Sequence, residues 1–198
     1  MVRVLILGAT GSLGTVVRRQ FIAQTQNHLT LFARHAVSNV NPSRETAVKG
    51  DVLNSTQLDN AMKGQDAVFA ALTGDLGSYA RSIVNSCERM GVKRLIFISS
   101  MGIYNEIPPS VGSGNLQSNP ILRPYREAAD VIEASNLDYT IIRPAWFDNG
   151  SAEYEITLKG TPFKGNTVSR NAIADLVLKL VADPTLYAKN SVGINRPM

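Results

Sequence analysis

The segment Val2–Leu7 is an apolar run of strand length, and glycines at positions 8, 11 and 14 follow it directly. Behind them Leu13, Val16, Val17 and Phe21 recur at helical spacing, so a helix is expected from Ser12 to about Gln24. A strand without polar alternation has both faces buried, as in a parallel sheet covered by helices on each side. Strand, glycine turn and amphipathic helix in that order point to a crossover connection, which is right-handed.

The same alternation continues along the chain. Strands are expected at Leu29–Ala33, Thr46–Lys49, Ala67–Leu72, Leu95–Ser99 and Tyr139–Ile142. Helices are expected at Ser55–Met62, Gly77–Met90, within Pro120–Ser135 and over Ser169–Ala182. Asn54 or Ser55 caps the first of these, Gly91 ends the second, and Ser169 caps the last, which stops before Pro184. Such alternation implies an α/β protein, a doubly wound parallel sheet in a single domain over residues 1–198. Residues Gly102–Asn119 are rich in Gly, Pro, Ser and Asn and carry little periodicity, so they read as a lid or binding loop. Ala80, Ile83, Val84 and Cys87 share one helical face, which puts the single cysteine in the core.

Composition narrows the setting. No apolar stretch approaches the roughly 18–20 residues that a membrane helix needs. Strand-like sequence begins at Val2, leaving no room for a signal peptide. One cysteine suits a reducing cytoplasm. The net charge of +4 is unevenly placed: residues 1–44 hold five arginines and no Asp, Glu or Lys, and the remainder carries 15 basic against 16 acidic groups. The excess lies around the glycine turn and favours a small anionic ligand. A nucleic-acid partner would call for basic clusters along one helix or interleaved with aromatics.

The turn has the chemistry for such a ligand. Gly8 allows a tight turn, Gly11 lets the backbone approach a pyrophosphate, and Gly14 permits close helix packing. The first helix then offers free N–H groups at Ser12 and Leu13 and a partial positive charge. No Gly-Lys-Ser/Thr is present, so a nucleoside-triphosphatase loop is excluded. The chain is read as a Rossmann-type dinucleotide-binding domain.

The spacing GxxGxxG is similar to that of the extended and atypical branches of the short-chain dehydrogenase/reductase superfamily. Gly50-Asp51-Val52 resembles the family's adenine-contacting turn, and Ala70-Ala71-Leu72-Thr73-Gly74 its fourth strand passing the ribose. Phe97-Ile98-Ser99-Ser100-Met101-Gly102 resembles its fifth strand, ending in the active-site serine. The run from Ser135 to Pro144, SNLDYTIIRP, is very similar to the corresponding run of NmrA-like proteins, and Val168–Ala174 to their strand-to-helix return. The resemblance covers roughly residues 1–185. It implies cofactor contacts at Gly8, Thr10, Gly11, Ser12, Leu13, Gly14, Asp51, Val52, Ala71, Leu72, Thr73, Ser99 and Pro144.

Two departures sharpen the reading. NAD-specific folds carry an acidic residue about 20 positions past the glycines. Arg34 occupies that place here, followed by His35. A guanidinium grips a 2′-phosphate, so NADP(H) is preferred over NAD(H). Typical short-chain dehydrogenases also use Tyr-x-x-x-Lys as a proton relay, and no tyrosine here has a lysine four residues later. Aligning back from Leu137–Thr140 puts Ile121 and Tyr125 at those two positions, while Tyr139 and Arg143 read as scaffold within a strand.

Without the relay, hydride transfer suits an acceptor that spreads the developing charge. NmrA-like relatives include flavin and biliverdin reductase types, and also regulators with no turnover. The candidates are Ser99, Tyr104 and Tyr125 for catalysis and Ser100, Met101, Arg123, Trp146 and Phe147 around the acceptor. The substrate side is expected from about residues 102–125 and 144–170. No cluster of His, Cys and carboxylates points to a metal. The expectation is a cytoplasmic NADPH-dependent oxidoreductase acting on a conjugated small molecule, with a non-catalytic NADP(H) sensor as the alternative. Neither nucleic acid nor membrane is an expected partner; a homodimer or protein partner stays open.

Overall fold

Side chains of the first strand, β1 (Arg3–Leu7), alternate between two apolar cores. Val4 and Ile6 enter one, Leu5 and Leu7 the other, and all four are fully buried. That is why the segment reads as an unbroken apolar run: each face of the sheet has its own helical layer. The computed structural model describes residues 1–197; Met198, the last residue of the expected domain, lies outside the described residues.

The chain continues through α1 (Ser12–Gln24), β2 (His28–Ala33), β3 (Glu45–Lys49), α2 (Ser55–Met62), β4 (Ala67–Ala70), α3 (Leu76–Met90) and β5 (Arg94–Ile98). A 3-10 turn at Pro120–Leu122 leads into α4 (Arg123–Glu133), then β6 (Asp138–Pro144), β7 (Trp146–Asp148), β8 (Glu155–Leu158), β9 (Thr167–Ser169), α5 (Arg170–Ala182) and β10 (Asn190–Asn195). The main sheet has the order β3-β2-β1-β4-β5-β6-β10-β8, with β8 antiparallel at its edge. Its first six strands follow the doubly wound order, which reverses between β1 and β4. Helices α1 and α5 pack together over one face, and α2, α3 and α4 over the other.

Caps explain the helix ends. Asn54 Oδ1 accepts from Gln57 N at 3.0 Å, Asp75 Oδ1 from Ser78 N at 3.1 Å, and Ser169 Oγ from Ala172 N at 3.1 Å. Gly91 ends α3 at φ 75°, a left-handed C-cap. Cys87 is fully buried, and burial pushes its thiol up to about 12. It is core packing.

The C-terminal third departs from expectation. Four strands, β7 to β10, went unforeseen, three of them within or beside the expected substrate-side stretch 144–170. Each is short or polar. In β10 only Val192 and Ile194 are large apolar residues, and its pairing with β6 comes from backbone bonds rather than from pattern. Strands β4 and β5 also end earlier than expected, at Ala70 and Ile98, so Ala71, Leu72 and Ser99 lie in the turns beyond. Those turns line the sheet's carboxyl edge, where ligands bind in open α/β sheets.

Candidate active site

The reversal between β1 and β4 opens a cavity. It is lined by Gly8, Thr10 and Gly11 of the first turn, Phe32 to His35 after β2, Gly50 to Val52 after β3, Ala71 to Thr73 after β4, and Tyr79 of α3. Gly8 sits at φ 87°, where a Cβ would also overlap the Ala71 carbonyl. Its carbonyl accepts from Gly11 N at 2.9 Å, closing the turn. A Cβ on Gly14 would strike that same carbonyl, so Gly14 lets α1 pack against the turn. Gly11 differs. Its φ of −71° is ordinary, and the one atom a Cβ would approach is Gly8 O at 3.2 Å. No side-chain hydrogen bond caps α1, whose N-cap Gly11 lines the cavity.

Arg34 and His35 follow the second strand at the cavity wall, both exposed. In the neighbouring turn, after β3, Asp51 Oδ1 accepts from Leu53 N and its own N–H donates to Gln57 Oε1, both at 2.9 Å. The turn after β3 is thereby fixed. The structure thus brings nine of the named cofactor positions to one cavity: Gly8, Thr10, Gly11, Arg34, Asp51, Val52, Ala71, Leu72 and Thr73. Ser12, Leu13 and Gly14 lie behind the turn in α1. Phe32, Ala33 and Tyr79 also line it; the sequence reading had them only as members of an expected strand and helix.

Two of the five arginines before residue 45 are spent on structural bonds. Arg18 donates to both oxygens of Glu45 at 2.7 Å, and Arg44 donates to Asn27 O at 2.9 Å and Thr25 O at 2.8 Å. Arg3 begins β1, at the far end of the sheet. Of the five, Arg34 alone lines this cavity.

A second cavity, of about 230 Å³, lies over β5 and β6. Ser100, Met101, Ile107, Ser113, Gly114, Asn119, Ile121, Leu122, Tyr125, Pro144, Ala145 and Trp146 line it. Among the described residues none in this lining is charged. Ile121 and Tyr125, the positions aligned with the family's tyrosine and lysine, both face it. Trp146 is 73% and Ile121 72% exposed, so two large apolar side chains stand at its mouth.

The wall made by residues 102–119 is held by a buried ion pair. Glu106 accepts from Arg143 Nη1 and Gly102 N with one oxygen, and from Tyr104 N with the other. Arg143 is fully buried, donates Nε to Ser191 Oγ at 3.1 Å, and lies over the rings of Tyr104 and Phe163. Asn115 adds a clamp, accepting from Ile107 N at 3.0 Å and donating to Ile107 O at 2.9 Å. The expected loop is therefore an ordered wall.

Besides Ser12, Leu13 and Gly14, four of the residues named for catalysis or the acceptor fall outside both linings. Tyr104 donates its hydroxyl to Glu133 at 2.7 Å behind the wall, and burial pushes its phenol well above its usual range. Its hydroxyl is engaged there and not at either cavity lining. Ser99 is buried, with Oγ donating to Tyr125 O at 3.4 Å. Arg123 opens α4, and Phe147 lies under the guanidinium of Arg170 at 5.1 Å.

A phosphate-cradling turn at the reversal of a doubly wound sheet, with a neutral cavity beside it, defines a Rossmann dinucleotide-binding protein. The chain belongs to the NAD(P)H-binding family, whose model matches residues 8–184. It is 40% identical to a Rossmann-fold NAD(P)-binding family protein from Shigella flexneri, whose structure covers all of this chain and 94% of that one at a TM-score of 0.84. A wide-type short-chain dehydrogenase/reductase from Veillonella parvula, solved in complex with NADP, is 28% identical, with a TM-score of 0.90 over 98% of this chain and 94% of its own. A 2-alkyl-3-oxoalkanoate reductase from Shewanella oneidensis is 26% identical over 147 residues, 67% of this chain; the chain spans 38% of that protein's length. No described helix is long and apolar enough to cross a membrane.

Proposed function

We propose that this chain is an NADP(H)-dependent oxidoreductase that passes hydride to a small conjugated acceptor of the flavin or quinone kind. The observation that carries the reading is the pair of cavities on one sheet edge. One is built on the glycine turn over β1 and β4, and the other is uncharged and mostly apolar over β5 and β6. NADPH, when bound, supplies the hydride. A Veillonella relative solved with NADP and a Shewanella relative named a reductase support both halves.

In this reading Arg34 holds the 2′-phosphate and Asp51 faces the adenine. Ser100 and Pro144 lie where the nicotinamide end would meet the acceptor. Trp146 and Ile121 cover a flat ring, and Tyr125 orients it through its hydroxyl. At about 230 Å³ the cavity is below the roughly 300–1,000 Å³ of drug-sized sites, which favours a small ring system. A cytoplasmic setting fits a thiol such as Cys87 that stays reduced. The alternative, a sensor that binds NADP(H) without turnover, draws on the lack of any charged side chain in the acceptor cavity.

Cofactor choice is tested at Arg34. Arg34→Ala should weaken NADPH by about 1.5–3 kcal/mol, the worth of charge-assisted hydrogen bonds, and leave NADH nearly unchanged in a binding titration. Equal losses for both would give Arg34 another role. Chemistry is tested at Tyr125. With no lysine beside it, Tyr125→Phe should cost about one neutral hydrogen bond, less than tenfold in rate. Aliphatic ketones should be poor substrates for the wild type. A loss of about 10²–10⁴-fold, the signature of a removed general acid, together with fast ketone reduction, would overturn the relay-free mechanism.

A further inference from the structure

We propose that Arg170 is a second cofactor-binding arginine, a clamp on the pyrophosphate of the dinucleotide. The proposal rests on the dinucleotide reading of the glycine turn and adds to it a residue from the other end of the chain.

Arg170 is the first residue of α5, and its side chain reaches the first residue of α1. Nε donates to Ser12 Oγ, and Nη1 donates to Asp148 O and Asn149 Oδ1, each at 3.4 Å. All three partners are neutral and all three bonds are long, so the guanidinium keeps donor capacity. Its guanidinium carbon lies over the Phe147 ring, 5.1 Å from the centroid. Among the described residues no carboxylate pairs with it. The neighbouring Asp148 is already engaged, accepting from Arg196 Nη2 with both oxygens at 2.6 and 2.7 Å.

The electrostatics are unfavourable as they stand. A helix N-terminus carries a partial positive charge and favours anions. Arg170 places a full positive charge beside two of them, α1 and α5, and neither has an acidic residue in its first turn. An anion between Ser12 and Arg170 would resolve this. The glycine turn directs a pyrophosphate to that end of α1, and a guanidinium binds phosphate oxygens through paired donors. Two arginines then divide the cofactor: Arg34 takes the 2′-phosphate and Arg170 the bridge between the two nucleotides.

Two partial ligands separate these roles: ADP-ribose, with a pyrophosphate and no 2′-phosphate, and 2′-AMP, with the reverse. Both are titrated against the purified full chain, wild type, Arg170→Ala and Arg170→Gln, each checked for an unchanged melting curve. Losing the clamp should weaken NADPH, NADH and ADP-ribose alike, by roughly 10- to 100-fold, and leave 2′-AMP unchanged. Arg34→Ala should do the opposite, losing 2′-AMP and keeping ADP-ribose. Folded Arg170 variants with wild-type affinity for ADP-ribose, or with 2′-AMP weakened equally, would overturn the clamp. A wild type that binds none of the dinucleotides or ADP-ribose would overturn the dinucleotide reading, and the clamp with it.

Discussion

Gly11→Val should give a folded protein in which binding of both NADPH and NADH drops below detection. Of the three glycines Gly11 is the least crowded: a Cβ there meets one atom, Gly8 O, at 3.2 Å, and a shift of a few tenths of an ångström relieves it. Gly8 and Gly14 are each hemmed in by backbone, so larger residues there would break the fold before they tested binding. Gly11 has φ −71° and ψ 164°, an extended conformation that valine adopts readily. Its Cβ would face the space where the pyrophosphate meets the N-terminus of α1. The cost in stability is that of a poor N-cap, about 1 kcal/mol. Circular dichroism and a denaturant titration check the fold, and cofactor titration checks the site. A folded variant with normal NADPH affinity would mean that this turn does not cradle the cofactor.

Glu106→Ala should be the most destabilising change, by about 3–5 kcal/mol, the loss expected when one member of a buried ion pair is removed. It would leave Arg143, fully buried, without its carboxylate, and would free Gly102 N and Tyr104 N as well. The damage should centre on the wall formed by residues 102–119, because Glu106 ties that wall to β6. Replacing both partners, Glu106→Leu with Arg143→Met, should recover much of the loss, since no charge is then left stranded. Denaturant midpoints measure both. A loss under 1 kcal/mol for Glu106→Ala would show that water or another group satisfies Arg143.

How far the sequence is legible depends on whether a residue's role is local. β1, β2, β4, β5 and β6 are legible because both their faces are buried, and the helices because one face of each is; β3, largely exposed at the sheet edge, leaves a weaker trace. The glycine turn is legible for the same reason: its chemistry is complete within seven residues. Arg34 could be located by counting from it. Glu106 could not be located, since a carboxylate in a Gly/Pro/Asn-rich stretch carries no period and its partner lies 37 residues away. Tyr104 looked like a free hydroxyl for the same reason, its acceptor being Glu133 on α4. The arginines of the first 44 residues misled in the opposite way. Charge counts do not distinguish an arginine facing a ligand from one spent on Glu45 or on backbone carbonyls, as Arg18 and Arg44 are. Strands β7 to β9 are short, β10 is largely polar, and all four form through backbone pairing with distant partners, which leaves little trace in composition.

The most direct test of the central claim is turnover by cofactor-loaded protein. Purified chain is saturated with NADPH, a small quinone or a free flavin is added in excess, and the absorbance of the reduced nicotinamide is followed. The account predicts catalytic loss of that absorbance, many equivalents per chain, faster with NADPH than with NADH and abolished in Gly11→Val. NADPH that binds tightly yet is oxidised by none of these acceptors above the protein-free rate would contradict it and leave the sensor in its place.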